Sequence, residues 1–175
     1  MNIAEKIFNH HLHRQTRNCK AFPVWSNVKH VLVVFDSDED ERNTQIMQLV
    51  KELRHAGKNV EAWGYCDKKD VLNPTIAGVR ILSRADLRWF ERLRKELVDD
   101  LQKANYDLLI DLSLRGMLPT RYISLWANAQ FKAGRRVGKE PYVYNFMIEL
   151  PADKDAAYLF DQIVYYLNNI ESNDR

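Results

Sequence analysis

The stretch His30-Val31-Leu32-Val33-Val34-Phe35-Asp36 decides how the rest of the chain is read. From Val31 to Phe35 it is an unbroken apolar run, mostly β-branched or aromatic, with none of the polar alternation of a half-exposed strand. Such a strand is covered on both faces and belongs in the middle of a sheet. Tyr106-Asp107-Leu108-Leu109-Ile110-Asp111-Leu112 repeats the pattern and is expected to lie beside the first, parallel to it. Its two aspartates are expected at the strand ends, outside the covered section.

Outward from the first strand, Ile46, Leu49, Val50 and Leu53 fall at i, i+3, i+4 and i+7, and Gly57 stands where a helix C-terminus favours positive φ. Residues 59–65 then supply a second strand, so strand, helix and strand fill one right-handed βαβ unit. Residues 79–82 read as a short peripheral strand. Ser83 then caps a long helix whose stripe is Leu87, Phe90, Leu93, Leu97, Leu101 and Ala104. Pro119 suits the first turn of a helix running to about 127, residues 130–133 and 142–148 read as strands, and Ala156, Leu159, Phe160, Ile163, Leu167 and Ile170 stripe a closing helix. Ahead of the central strand, residues 2–17 form a helix on Ile3, Ile7, Phe8 and Leu12, followed by a connector at Phe22-Pro23. The alternation predicts an α/β fold, a three-layer sandwich with a mainly parallel Rossmann-like sheet, in one domain spanning 1–175 with the leading helix packed on it.

A chain of 175 residues buries a sizeable core without staples. Its 46% hydrophobic and 29% charged content, with 6 Gly and 5 Pro, is that of a globular protein rather than a disordered one. Cys19 and Cys66 form no C-x-x-C pair, and the first twenty residues carry His10, His11, His13, Arg14 and Arg17 instead of an apolar leader. Reduced thiols and a cytoplasmic location are expected. No apolar run approaches the roughly 20 residues of a membrane span, so a membrane is not expected among the partners. The net charge of +2 gives no general pull toward nucleic acid, although residues 1–30 hold Lys6, Arg14, Arg17, Lys20 and Lys29 against Glu5 alone.

In open α/β sheets ligands bind beyond the carboxyl ends of the strands, which directs attention to the loops at 36–41, 66–69 and 113–118. Ser37, Asp67, Asp111, Ser113 and Arg115 are the candidate contacts there for a small anionic ligand, Arg115 as a forked donor. The run Asp36-Ser37-Asp38-Glu39-Asp40-Glu41 has carboxylate enough to hold Mg²⁺. It is equally the acidic first turn of a helix, with Ser37 and Asp40 approximating a capping box. Neither G-x-G-x-x-G nor G-x-x-x-x-G-K-[ST] occurs, which argues against dinucleotide and P-loop chemistry, and no G-x-S-x-G elbow supports a serine hydrolase. His10 and His13 lie one helical turn apart, yet nothing adjacent completes a tetrahedral set. Lys132, Arg135, Arg136 and Lys139, with Phe131, Tyr142 and Tyr144 nearby, are either a solvated turn with its tyrosine rings in the core or a surface for single-stranded RNA. Trp25, Trp63, Trp89 and Trp126 are candidates for a self-association patch that would make the chain a homo-oligomer.

Three resemblances attach to these residues. Asp36-Ser37-Asp38 after an apolar strand resembles the Asp-x-Asp motif of haloacid-dehalogenase phosphatases, which implies Asp36 as nucleophile and Asp38 as acid/base with Mg²⁺; the family's usual Thr or Val two positions further on is Asp40 here. The segment from Tyr106-Asp107-Leu108-Leu109-Ile110-Asp111-Leu112 to Gln130-Phe131-Lys132-Ala133-Gly134-Arg135-Arg136-Val137-Gly138 resembles an uncharacterised family of small bacterial proteins from the Bacteroidetes, a likeness that brings no activity with it. The same strand is similar to the acceptor-side half of heptosyltransferase-like glycosyltransferases, which implies one half of a two-Rossmann enzyme with Asp111 and Arg115 in the corresponding loop. The leading expectation is a non-catalytic or partner-dependent domain that binds a small anionic ligand or a protein, without a cofactor. A Mg²⁺-dependent phosphohydrolase or transferase using Asp36 and Asp38 is the alternative, and RNA binding the third reading.

Overall fold

The computed structural model describes residues 2–15, 22–37, 41–71, 76–136 and 143–170. Six strands make one sheet in the order β3-β2-β1-β6-β7-β8, every pair parallel. They are β1 (His30–Asp36), β2 (Asn59–Tyr65), β3 (Val79–Leu82), β6 (Tyr106–Asp111), β7 (Ala129–Arg135) and β8 (Phe146–Ile148). The two apolar runs lie side by side at the centre, Leu32 opposite Leu109 and Val33 opposite Ile110.

Because β1 has helices over both faces, its alternate side chains feed two cores. Val31, Val33 and Phe35 join Ile46, Leu49, Val50 and Leu53 of α2 (Glu41–His55) and Leu159, Phe160, Ile163 and Leu167 of α5 (Ala156–Asn169). Leu32 and Val34 join Phe8 and Leu12 of α1 (Ile3–Arg14), Leu101 of α3 (Lys95–Lys103), and Tyr122 and Ile123 of α4 (Leu118–Trp126). The result is an α/β Rossmann-like arrangement with a parallel sheet between helical layers, as the alternation of apolar patterns predicts. At the β1–β2 contact Phe35 lies opposite Gly64, and a Cβ on that glycine would come within 2.6 Å of the Phe35 ring.

The expected long helix from Ser83 does not form. Ser83 and Asp86 do build a capping box, but it closes only the single 3-10 turn Arg84–Asp86. The chain then forms a small antiparallel hairpin, β4 (Leu87–Arg88) against β5 (Arg92–Leu93), before α3 starts at Lys95. Phe90 at φ 62° and Glu91 at φ 58° occupy left-handed backbone that no right-handed helix admits. The apolar spacing survives because Leu93 and Leu101 are buried all the same, one from a strand and one from a helix. Two smaller differences concern length: β7 is a full seven-residue strand, and β8 is confined to three residues at the edge.

The order of the strands positions the site. From β1 the chain steps outward to β2 and β3, then returns through the hairpin and α3 to β6 on the other flank of β1 and steps outward to β7 and β8. The connections that leave β1 and β6 therefore diverge, and the crevice between their carboxyl ends is where open α/β sheets take ligands.

Candidate functional site at the carboxyl edge of the sheet

The two central strands end in Asp36 and Asp111, both nearly devoid of solvent contact. Asp111 was expected outside the covered section, yet it is 1% exposed. Four hydrogen bonds make that tolerable. Its Oδ1 accepts from the Ser113 amide (2.9 Å) and hydroxyl (2.5 Å), and its Oδ2 from the Ser124 and Tyr144 hydroxyls (both 2.6 Å). Burial pushes the Asp111 carboxyl above the usual carboxylate range, while these donors pull the other way. The Tyr144 ring reaches it across Gly134, where a Cβ would meet the ring at 3.0 Å.

Asp36 is bound differently. Its Oδ2 accepts both the Leu114 and the Arg115 backbone amides at 2.7 Å, tying the end of β1 to the loop after β6. Its Oδ1 is buried and has no hydrogen-bond partner among the described residues. Ser37, also buried, donates its amide to the Tyr65 carbonyl. One strand further out, Asp67 accepts a two-pronged bond from Arg84 (2.7 and 3.0 Å) and the Tyr65 hydroxyl at 3.1 Å. The Arg84 guanidinium holds the Asp67 carboxyl below its usual range, and Arg115 is close enough to add to that.

Ser37, Asp67, Asp111, Ser113 and Arg115 thus stand at one edge, with Asp36 at its centre. Asp111 and Ser113 are committed to each other, whereas Arg115 is exposed at the mouth. Asp38 lies outside the described residues, as do Lys139, Tyr142 and Cys19, while Cys66 is buried and unpaired. Among the described residues no group of three or more His, Cys, Asp or Glu side chains is placed to hold a metal ion.

The described residues of the basic stretch in and after β7 are engaged within the fold. Lys132 turns inward and donates to the Ser124 and Leu125 carbonyls (2.7 and 3.1 Å), capping the last turn of α4. Arg135 donates to the Leu114 carbonyl and Arg136 pairs with Glu149, while Tyr144 is the Asp111 partner just described. Of the tryptophans, Trp63 is buried and Trp89 is 82% exposed.

Lys132 and the buried tyrosines fix an alkaline stability profile. Burial pushes the Lys132 ammonium down to about 8, so above that pH the unfolded chain holds a proton that the folded chain has released. Stability therefore rises from about pH 8, by about 1–3 kcal/mol if no other group intervenes. Burial, reinforced by Asp67, Glu61 and Asp111 respectively, holds Tyr65, Tyr106 and Tyr144 protonated beyond the usual range, so above about pH 10 the unfolded chain loses protons that the folded chain keeps. Stability falls there. Urea midpoints between pH 7 and 11 are expected to pass through a maximum near pH 9–10, and Lys132→Met is expected to shrink the rising limb, to which Lys58, also pushed down by burial, adds, while leaving the falling one.

A two-flanked parallel sheet with its switch point between β1 and β6 defines a Rossmann-like domain. Across residues 1–170 the chain matches the model of a family of unknown function, DUF6913, and it belongs to that family. Among solved structures it is similar in fold to the Escherichia coli heptosyltransferase WaaC with ADP, at a TM-score of 0.51 and 20% identity, over 83% of this chain and 49% of that one. The chain thus spans about half the length of that enzyme. No curated protein matches it in sequence. Among the described residues no helix is long and apolar enough to cross a membrane.

Proposed function

We propose that this protein is a single Rossmann-like domain that works as a binding module, alone or joined to a partner, and takes a small anionic ligand at the carboxyl edge between β1 and β6. The observation that carries this reading is the buried Asp36 oxygen left without a donor among the described residues at the topological switch point. A ligand hydroxyl or amine satisfies that oxygen, and Arg115 at the mouth meets the ligand's negative group. A sugar phosphate has both features. The likeness to one half of a sugar-transferring enzyme supports the same class at the level of fold.

The rival is Mg²⁺ bound by Asp36 and Asp38 in a phosphohydrolase or transferase. Against it, one of the two Asp36 oxygens is already engaged by two amides. Thermal melting against hexose phosphates, adenosine diphosphate and MgCl₂ alone decides between them. A ligand near 100 times its Kd is expected to raise the midpoint by about 5–10 °C. Asp36→Asn is expected to abolish that rise, because the amide keeps an acceptor for the loop but turns a donor toward the ligand. A response to MgCl₂ alone, with none to the phosphates, overturns the binding-module reading.

A further inference from the structure

The hairpin that replaces the expected helix displays a second site, on the face formed by α1, α3 and α4. Trp89 at its tip is 82% exposed and Phe90 beside it 44%, two large aromatic side chains in solvent side by side. Two consecutive non-glycine residues in left-handed backbone, Phe90 and Glu91, hold them there. The strain is fixed by Leu93 anchored in the core, by the Leu87–Leu93 and Arg88–Arg92 pairs, and by the Arg92 Nε donating to the Trp89 carbonyl.

Leu87, Arg88, Trp89 and Arg94 line a shallow, largely open groove of about 420 Å³. Arg88 and Arg94 have no carboxylate partner among the described residues, unlike Arg84 with Asp67 and Lys95 with Asp99. The positive field continues onto α1, which packs against the turn: Arg92, His10 and Arg14 all bear on His11, whose ring lies 5.4 Å from that of Trp126. Glu91 is the one acidic residue between 87 and 93.

We infer that this groove binds single-stranded nucleic acid, one base stacking on Trp89 and adjoining phosphates taken by Arg88 and Arg94. Exposed aromatic faces accept any base, and paired guanidinium forks suit phosphate oxygens. An anionic bilayer is the other surface with this charge, but Trp89 and Phe90, the two large apolar side chains exposed at the tip, make only a small wedge for insertion. Glu91 at the tip would also be driven against like-charged headgroups, whereas beside a stacked base its carboxylate accepts from an exocyclic amino group. This site is independent of the reading at the carboxyl edge.

Fluorescence anisotropy of labelled single-stranded RNA and DNA of about twelve nucleotides, at about 25 mM salt, tests it on the full chain. Binding is expected to quench tryptophan fluorescence, and Trp89→Ala to weaken it by about 5- to 150-fold. Two phosphate contacts give a slope of about −1.4 in log K against log salt, which Arg88→Gln with Arg94→Gln is expected to flatten toward zero. These side chains are exposed, so circular dichroism and the melting midpoint of each variant should match the parent, separating lost binding from lost fold. Absence of binding to either oligonucleotide, binding unaffected by Trp89→Ala, or Trp89-dependent capture by phosphatidylserine vesicles with no oligonucleotide binding each overturns the inference.

Discussion

Replacing Asp111 with alanine is expected to lower the unfolding free energy by about 3–5 kcal/mol, which for a chain of this length moves the melting midpoint down by roughly 10 °C. The effect is large because the side chain is fully buried and four donors converge on it. Alanine leaves three hydroxyls and an amide facing apolar surroundings, and the cost of the stranded donors exceeds that of the lost bonds themselves. Tyr144→Phe removes one donor and leaves the carboxylate three, so its cost should be nearer 1 kcal/mol. Chemical denaturation of both variants checks the gradient. Equal midpoints would show that Asp111 is not the post tying β6, its following loop and α4 together.

The second large effect is expected at Gly64→Val. In the register of β1 and β2, Phe35 faces Gly64, and its ring occupies the space in which a side chain would begin, 2.6 Å from an ideal Cβ. Both strands sit between covered layers, so the ring has little room to retreat. Overpacking of this kind costs about 2–3 kcal/mol. Phe35→Leu shortens the intruding ring, so the double variant should be more stable than the sum of the two single losses implies. That non-additivity is the signature of direct contact. Additive losses would place the cause elsewhere.

The core of the fold was legible because it depends on a property that sequence displays directly. Val31 to Phe35 and Leu108 to Ile110 are apolar without alternation, and only a strand covered on both faces uses such a run. The hairpin was illegible for the converse reason. Leu87, Phe90, Leu93, Leu97 and Leu101 keep helical spacing whether or not residues 87–93 are helical, and no glycine or proline marks Phe90 and Glu91 as left-handed. Tertiary pairing and the buried Leu93 overrule local preference there.

The carboxyl edge was legible as a location, since the ends of central strands can be read from the strands themselves. The partners of its aspartates were not. Asp36 meets amides 78 and 79 residues away, and Asp111 meets Ser124 and Tyr144 at separations of 13 and 33, contacts with no local pattern. By sequence, Lys132 and Tyr144 belong either to an RNA-binding patch or to a solvated turn with its tyrosine rings in the core; the fold turns both inward, toward the end of α4 and toward Asp111.

The grip of Asp36 on the Leu114 and Arg115 amides carries a consequence for selectivity. Two neighbouring N–H groups aimed at one point are a ready cradle for phosphate, but here a tethered rival already lies in it. Its local concentration, set by a rigid strand end, far exceeds the millimolar levels at which free phosphate competes. Simple inorganic anions are thereby turned away from the cradle, and under the proposed binding role entry falls to molecules that can offer the second oxygen of that carboxylate a proton to share.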